Sequence, residues 1–441
     1  MRKFSLLLVL LLVATVGHAQ KNIEFEEFNL DNGLHVILHQ DNTTPIVAVT
    51  VLYHVGSKNE VPGRTGFAHF FEHLLFEGSE HIGRGEYMEI VKSNGGAVNA
   101  NTSQDRTFYY EILPSNKLEL GLWLESERML HAKVNIDGVE TQREVVKEEK
   151  RLRIDNQPYM SFQAEMFQEA FPGTAYEWVP IGSMEDLNAA QLEEFIAFYK
   201  QFYVPNNATL SIAGDIDIEA TKALVSKYFG DIPRGQEVVQ PNFGTPDLAQ
   251  GGVRKQVYDN IQLPALFMGY RTPGQTEADA YAIDMLAQVL SQGESSRLYK
   301  RMVDEEQSAV AVIAFPFTLE RAGILISLAI ANQGVTLEQM EGSIMEEIER
   351  LKNEPIGERE FQKLQNQLES SFISSNSTMA GIAESLANYH VYYGDADLIN
   401  TEIERYRALT PADLQRVAQK YLTKDNLVVL EYLPKSEQDN L

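Results

Sequence analysis

Short apolar runs and alternating patterns predict several strands in the first half of the chain. Residues 25–30 and 34–38 flank Asp31-Asn32-Gly33, which is typical of a β-hairpin turn. The β-branched run over 45–53 is suited to a buried strand. Further strands are predicted over 98–101, 107–112 and 207–212. Apolar residues at helical spacing predict helices over 67–76, 118–131, 139–154 and 218–229.

The second half repeats this plan. Strands are predicted over 254–258, 265–270, 310–315 and 324–331, and helices over 277–290, 296–303, 337–351 and 358–371. Residues 202–212 and 421–430 both place a tyrosine and a polar turn before a strand. Two homologous domains explain this repetition. The mixed order of helices and hairpins predicts the α+β class, with two α/β-sandwich domains in tandem.

A segment rich in Pro, Gly and Gln, residues 231–252, separates the two halves. Such a composition is typical of an interdomain linker. The predicted N-terminal domain spans 20–235, the linker 236–252 and the C-terminal domain 253–441.

Residues 1–19 are predicted to form a cleaved secretory signal peptide. Arg2 and Lys3 precede an apolar run over 6–13, and Gly17-His18-Ala19 supplies small residues for cleavage. The run is short for a bilayer span, and no later stretch is long and apolar enough. The mature chain is therefore expected in the periplasm, or secreted, without a membrane span.

Charge and cysteine content narrow the possible partners and chemistry. The chain has 37 Lys and Arg against 63 Asp and Glu, a net charge of −26, so its surface repels nucleic acid and anionic membranes. It contains 0 cysteines. Thiolate ligands and a cysteine nucleophile are excluded, and any metal site must use His, Asp and Glu.

The segment 66–76 carries the pattern H-x-x-E-H. His69 and His73 are one helical turn apart and project from one face, so two imidazoles can reach one ion. Glu72 lies beside them and can activate a water molecule. Catalytic zinc needs a third protein ligand, and the acidic stretch 142–149 offers glutamates for it. Alone, that stretch would be an ordinary charged helix face.

These residues resemble the pitrilysin (insulysin) family of inverzincin metallopeptidases, which includes the mitochondrial processing peptidases. The resemblance extends over essentially the whole mature chain. Residues 66–77 are similar to the family's metal-binding helix, and 143–149 to its distal glutamate motif. Residues 95–103 are similar to the stretch that leads into a substrate-pairing edge strand.

The resemblance implies one Zn²⁺ per chain, with His69, His73 and Glu149 as ligands and Glu72 as general base. Glu148 is the less favoured neighbour of Glu149 in that motif. It also implies that pairs of such chains close like a clamshell around a chamber.

The same resemblance places the substrate-binding edge at Asn99 and Ala100, where an extended peptide would add a strand. A simple turn before a strand is the alternative interpretation of these two residues.

Two departures from the family pattern stand out. Gln142 occupies a position where the family often has a second glutamate, and an amide carries no charge. Active members usually have an arginine and a tyrosine seven residues apart in the second domain, but this chain has Val303 and Val310 there. Valine cannot donate a hydrogen bond to an oxyanion. Tyr299 and Arg301 lie nearby and are interpreted as ordinary surface helix residues.

The sequence therefore predicts a zinc endopeptidase that hydrolyses extended peptides or small unfolded proteins. It is expected to be the metal-bearing subunit of a two-subunit enzyme, whose homologous partner carries the arginine and tyrosine, or else a homodimer. The alternatives are a non-catalytic scaffold subunit and a zinc hydrolase with a non-peptide substrate.

Overall fold

The computed structural model describes residues 22–243 and 251–438. The predicted signal peptide, 1–19, lies outside the described residues, as does the part of the linker at 244–250. Within the described ranges, no helix is long and apolar enough to cross a membrane.

The first half builds a six-stranded sheet. Its strands are β1 (Glu26–Asn29), β2 (His35–Gln40), β3 (Ile46–Tyr53), β4 (Ala97–Thr102), β5 (Thr107–Pro114) and β6 (Ala208–Gly214). The order is β1-β2-β6-β3-β5-β4. Only β2 and β6 pair in parallel among these strands. The predicted hairpin forms, with Gly33 at φ +91°, a conformation that favours glycine.

The described residues of the first half also form eight helices. They are α1 (Phe67–Leu74), α2 (Glu86–Ser93), α3 (Leu118–His131), α4 (Ile136–Lys150), α5 (Phe162–Ala170), α6 (Met184–Ala189), α7 (Leu192–Phe202) and α8 (Ile218–Phe229). The predicted helix over 139–154 corresponds to α4, which continues into a π-helical turn at Arg151–Asp155.

The second half builds a five-stranded sheet. Its strands are β7 (Val253–Asp259), β8 (Ala265–Pro273), β9 (Ala309–Thr318), β10 (Ala322–Ala331) and β11 (Leu427–Pro434). The order is β7-β11-β8-β10-β9, and only the β7–β11 pair is parallel. Each sheet therefore contains one parallel pair that involves its last strand in sequence, as expected of a repeated plan.

The helices of the second half were only partly predicted. They are α9 (Ala280–Ser291), α10 (Leu337–Asn353), α11 (Glu358–Ser375), α12 (Met379–Tyr393), α13 (Leu398–Arg407), α14 (Pro411–Tyr421) and α15 (Lys435–Gln438). The sequence pattern placed a helix before Tyr421 without giving its range, which corresponds to α14. It did not single out α12 and α13, nor α2, α5 and α6 of the first half. The helix expected over 296–303 is mainly the π-helical segment Tyr299–Glu305, where the backbone N–H of Glu306 donates to Arg301.

Each half contributes one helix to the sheet of the other. Met166 and Phe167 of α5 belong to the apolar cluster on the second sheet, together with Phe267. Ile382 and Leu386 of α12 belong to the cluster on the first sheet. This exchange covers a face of each sheet that would otherwise meet water, so both halves depend on each other for a complete core.

Charged side chains also join the halves. Nε2 of His54 lies 2.7 Å from Oε2 of Glu320, and Lys58 forms a short ion pair with the same carboxylate. Lys58 also lies 3.1 Å from Asp105. Although burial acts to raise it, the hydrogen bond from His54 and the charge of Lys58 lower the pKa of Glu320 to about 2. These groups therefore favour an ionised Glu320 at neutral pH.

The fold class expected from the sequence is confirmed, since two domains of sheet and helix stand in tandem. Their limits at 20–235 and 253–441 stay a prediction.

Candidate metal centre

One face of helix α1 packs against aromatic side chains, and the opposite face carries the polar residues. Phe67 stacks on Phe195 of α7 and Phe70 packs against the same ring at a tilt, both at centroid distances of 4.5 Å, and Phe71 stacks on Phe198 at 5.6 Å. The buried positions of α1 exclude His69, Glu72 and His73. Packing therefore fixes the helix through its apolar side and leaves the H-x-x-E-H side chains on the other.

Glu60 caps the start of this helix and was not singled out from the sequence. Its two carboxylate oxygens accept hydrogen bonds from the backbone N–H groups of Gly66, at 2.9 Å, and Ala68, at 2.8 Å. Burial raises the pKa of Glu60 to about 8, although these two donors act to lower it. Helix N-termini have unsatisfied N–H groups, so Glu60 orients the segment that begins the metal-binding helix.

His69, His73 and Glu149 converge on one point. Nε2 of His73 lies 3.1 Å, and Nε2 of His69 3.7 Å, from Oε2 of Glu149. The two imidazole rings are 4.9 Å apart and inclined at 77°. Two atoms bound to a tetrahedral zinc at about 2.0–2.1 Å lie about 3.3 Å apart. The observed spacings lie on either side of that value, so the three side chains fit a zinc ion.

The charges of these groups also fit the ion. Burial, followed by the neighbouring His73, lowers the pKa of His69 to about 4, although Glu149 acts in the opposite direction. Contact with His73 lowers the pKa of Glu149, although burial opposes it. His69 is therefore neutral and Glu149 ionised at neutral pH, which are the states that bind metals.

The two neighbouring glutamates of α4 have different surroundings. Oε1 of Glu149 pairs with Arg153 at 2.8 Å, which leaves Oε2 directed at the histidines. Glu148 is 54% exposed and pairs with Arg151. The structure therefore brings Glu149, and not Glu148, to the histidine pair.

Gln142 contacts the end of the metal-binding segment. Its Nε2 donates to Oε1 of Glu77, whose other oxygen pairs with Arg84. The amide at this position thus has a carboxylate as its neighbour. Its charge-neutral side chain avoids the repulsion that two adjacent carboxylates would cause.

Glu72 lies between the metal ligands and the first sheet. Burial raises the pKa of Glu72, while the nearby Thr102 hydroxyl and the charge of His73 act to lower it. Thr102 is the last residue of β4, and β4 is the outermost strand of its sheet, paired with β5. Asn99 is exposed and Ala100 buried on this strand. The edge where both residues lie therefore ends beside Glu72.

A cluster of buried charged side chains contacts α1 through Tyr109. Arg128 lies 3.7 Å from Glu111 and 3.4 Å from Glu125, and all three side chains have 0% exposure. Its guanidinium also lies 4.1 Å from the ring centroid of Tyr109, whose hydroxyl donates to the carbonyl of Phe71. Burial and the neighbouring Glu125 raise the pKa of Glu111, although Arg128 opposes them.

The second half offers no arginine–tyrosine pair at the predicted positions. Val310 is 49% exposed on β9, and Val303 packs against the core of its own half. Arg301 is paired with Glu306, Glu346 and Glu347. Tyr299 packs against the same core as Val303.

Known proteins resemble this chain over most of its length. Residues 35–176 match the family model described as insulinase (peptidase family M16), and residues 189–368 match the peptidase M16 inactive domain. The zinc protease PqqE of Helicobacter pylori is 32% identical over 417 residues, which cover 93% of this chain and 94% of that protein.

Solved structures agree. The crystal structure of a protease from Helicobacter pylori has a TM-score of 0.88 at 29% identity, with coverage of 93% of this chain and 100% of that chain. The periplasmic protease PqqL of Escherichia coli shares the fold, with a TM-score of 0.75 at 20% identity. This chain is covered to 94%, and spans 48% of PqqL.

The fold and these relatives define a two-domain protein of the zinc protease class. The chain belongs to the M16 family of peptidases, as the pitrilysin-like resemblance predicted. Zinc is the metal in the names of its relatives.

Proposed function

We propose that this protein is a zinc-dependent endopeptidase that hydrolyses extended peptides or small unfolded proteins. The observation that carries the proposal is the convergence of His69, His73 and Glu149, with Glu72 on the same helix. In this proposal the first three residues hold one Zn²⁺. A zinc ion held there would supply a Lewis acid for the scissile carbonyl and would make water more acidic.

Glu72 would move the proton. Its carboxylate takes a proton from the attacking water and then delivers it to the leaving amine. The raised pKa of Glu72 suits both steps, since a base that must later act as an acid works best with a pKa closer to the operating pH. Thr102 at the sheet edge acts to lower the pKa of this carboxylate, so Glu72 and the end of β4 lie close together.

The proposed substrate lies along β4. An extended peptide can add to the free side of this edge strand through backbone hydrogen bonds, with little dependence on its side chains. Asn99 and Ala100 would form part of that edge. Because β4 ends at Thr102 beside Glu72, a peptide paired with it would pass the metal ligands.

The proposal includes a second chain. Val303 and Val310 cannot donate hydrogen bonds, and the guanidinium of Arg301 is engaged by three glutamates of its own half. The chain would therefore be the metal-bearing subunit, with a homologous partner that supplies an arginine and a tyrosine, or a homodimer. We place it in the periplasm, on the strength of its predicted signal peptide.

A non-catalytic subunit is the second candidate. The match of residues 189–368 to a domain described as inactive favours it. The complete set of His69, Glu72, His73 and Glu149 opposes it, because a scaffold has no need for an assembled metal site. The strand edge at β4 argues against a non-peptide substrate.

Turnover of fluorogenic peptides by the mature chain tests the proposal. The chain is assayed alone and with a homologous chain that carries the arginine and tyrosine. We expect activity mainly in the mixture, and its loss in Glu72→Gln by about 100- to 10,000-fold with zinc content unchanged. Unchanged turnover in Glu72→Gln would contradict the mechanism, and full activity of the chain alone would contradict the need for that partner.

A further inference from the structure

A second group of metal-ligating side chains lies outside the candidate metal centre. It consists of His81, Glu127 and His131, which we call the outer cluster; one donor atom from each lies within 4.8 Å of the others. Nδ1 of His81 is 2.9 Å from Oε1 of Glu127. Nδ1 of His131 is 3.2 Å from Oε2 of Glu80, which lies beside the cluster.

The rings of the outer cluster are arranged like those of the candidate metal centre. His81 and His131 have a centroid distance of 5.2 Å and an angle of 84°, against 4.9 Å and 77° for His69 and His73. Rings inclined in this way can direct one nitrogen each toward a common point. Two imidazoles and a carboxylate are again a donor set that suits zinc.

A third histidine pair in the described residues lacks this geometry. His35 and His390 stack face to face, with centroids 3.4 Å apart and planes 3° apart. Both ring nitrogens of His35 already contact acceptors, at Asn29 and Glu27. One donor atom each of Glu27, His35 and His390 also lies within 4.8 Å of the others, but parallel stacked rings direct their nitrogens side by side and not toward a common point.

The carboxylate of the outer cluster is held in place by its surroundings. Glu127 is 6% exposed, and its Oε2 accepts a hydrogen bond from the hydroxyl of Ser79 at 2.5 Å. That hydroxyl in turn accepts from the backbone N–H groups of His81 and Ile82. Such outer contacts orient metal ligands in proteins. His81 is 56% and His131 33% exposed, so an ion can enter from solvent.

The geometry points to a second divalent-metal site of the zinc class, formed by His81, Glu127 and His131, with Glu80 as a fourth ligand. The ion ties the loop at 78–83, which follows α1, to the end of α3, which leads into α4. It therefore links the two helices that present His69, His73 and Glu149. This site does not depend on the proposed peptidase function.

Zinc stoichiometry of the untagged mature chain tests the second site. Zn²⁺ is measured after dialysis against a low-micromolar solution of the ion, for the wild type and three variants. His81→Ala removes a more than half-exposed ligand, His73→Ala removes a ligand of the candidate metal centre, and the third variant combines both. We expect two equivalents for the wild type, one for each single variant and none for the double variant.

Two outcomes separate this site from the proposed function. If only the outer cluster binds zinc, the wild type and His73→Ala each bind one equivalent and His81→Ala binds none. If His81→Ala binds as much zinc as the wild type, the outer cluster is not a site and the inference is overturned. Circular dichroism confirms that each variant is folded.

Affinity and thermal stability give a second measurement. In the His73→Ala background, Zn²⁺ should raise Tm, and the further change His81→Ala should abolish that rise. The affinity of the outer cluster for zinc should fall at least about 100-fold in His81→Ala. Loss of a residue that only orients a metal ligand already costs about 10- to 100-fold. An equal rise in Tm with and without His81 would refute the assignment.

Discussion

A comparison of Glu149→Gln with Glu148→Gln tests which glutamate completes the metal centre. Both residues lie on α4, and both changes remove one negative charge. Glu149 directs Oε2 at the two histidines, at 3.1 and 3.7 Å, whereas Glu148 is exposed and pairs with Arg151. The amide of Glu149→Gln keeps the shape but loses the charge that favours a divalent cation.

The expected magnitude follows from the number of ligands. Structural zinc sites with four ligands bind with about 10–16 kcal/mol, which is about 2.5–4 kcal/mol per ligand. Loss of one ligand at about 1.4 kcal/mol per tenfold change in Kd predicts an affinity lower by about 60- to 700-fold. Glu148→Gln removes only a surface ion pair, worth at most about 1 kcal/mol, and should leave the affinity within about twofold.

Competition with a chromogenic zinc chelator at pH 7.5 measures both affinities. His81→Ala in all proteins compared removes the outer cluster, so that one site is titrated. The assignment is refuted if Glu149→Gln keeps zinc within tenfold of the parent, or if Glu148→Gln weakens it as much. Peptide turnover at saturating zinc adds a second readout, which should fall for Glu149→Gln alone.

Three further predictions concern two supports of the site and one ion-pair group between the halves. Glu60→Ala removes both acceptors at the start of α1 and should lower the free energy of unfolding by about 2–3 kcal/mol, measured by denaturant unfolding. Arg128→Met leaves two buried glutamates without their cation and should cost about 3–5 kcal/mol in the same assay. Glu320→Gln should cost up to about 3 kcal/mol at pH 7, with the difference measured by unfolding at a series of pH values. Because the pKa of Glu320 is depressed to about 2 in the folded chain, its stabilisation is present at neutral pH and lost as pH falls from about 4.5 through about 2.

Each of these predictions has its own control. Glu60→Gln retains one acceptor and should recover part of the stability lost in Glu60→Ala; equal losses would argue against a capping role. For Arg128→Met, an unchanged midpoint of denaturant unfolding would show that the buried charges do not support α1. For Glu320→Gln, a difference that stays constant down to pH 2 would mean that its charge does not join the halves. Exposed Glu305→Gln should change stability by less than about 0.5 kcal/mol.

The local sequence pattern was sufficient to predict the helix that carries His69, Glu72 and His73. His69, Glu72 and His73 fall within one helix, and the helical period alone places the two imidazoles on one face. The apolar residues between them predict which side is buried, and the aromatic contacts of Phe67, Phe70 and Phe71 agree. Strand and hairpin positions of the sheets followed from short-range signals in the same way.

Contacts between residues distant in sequence could not be predicted from the local pattern. Glu60 lies outside α1, and nothing in its sequence neighbourhood distinguishes it from a solvated glutamate; its role depends on a loop that returns it to Gly66 and Ala68. The sequence spacing also did not decide whether Glu148 or Glu149 is the third ligand. Only the packing of α4 against α1 decides which of the two carboxylates faces the histidines.

The sequence by itself determined the strands, the long amphipathic helices, the repeated plan and the residue types available for a metal. The tertiary structure decided which of those residues meet. It placed α5 and α12 on the opposite halves, set the end of β4 beside Glu72, and brought His81 and His131 together. The physical reason is that helical and strand periods act over a few residues, whereas burial of apolar faces selects among distant partners.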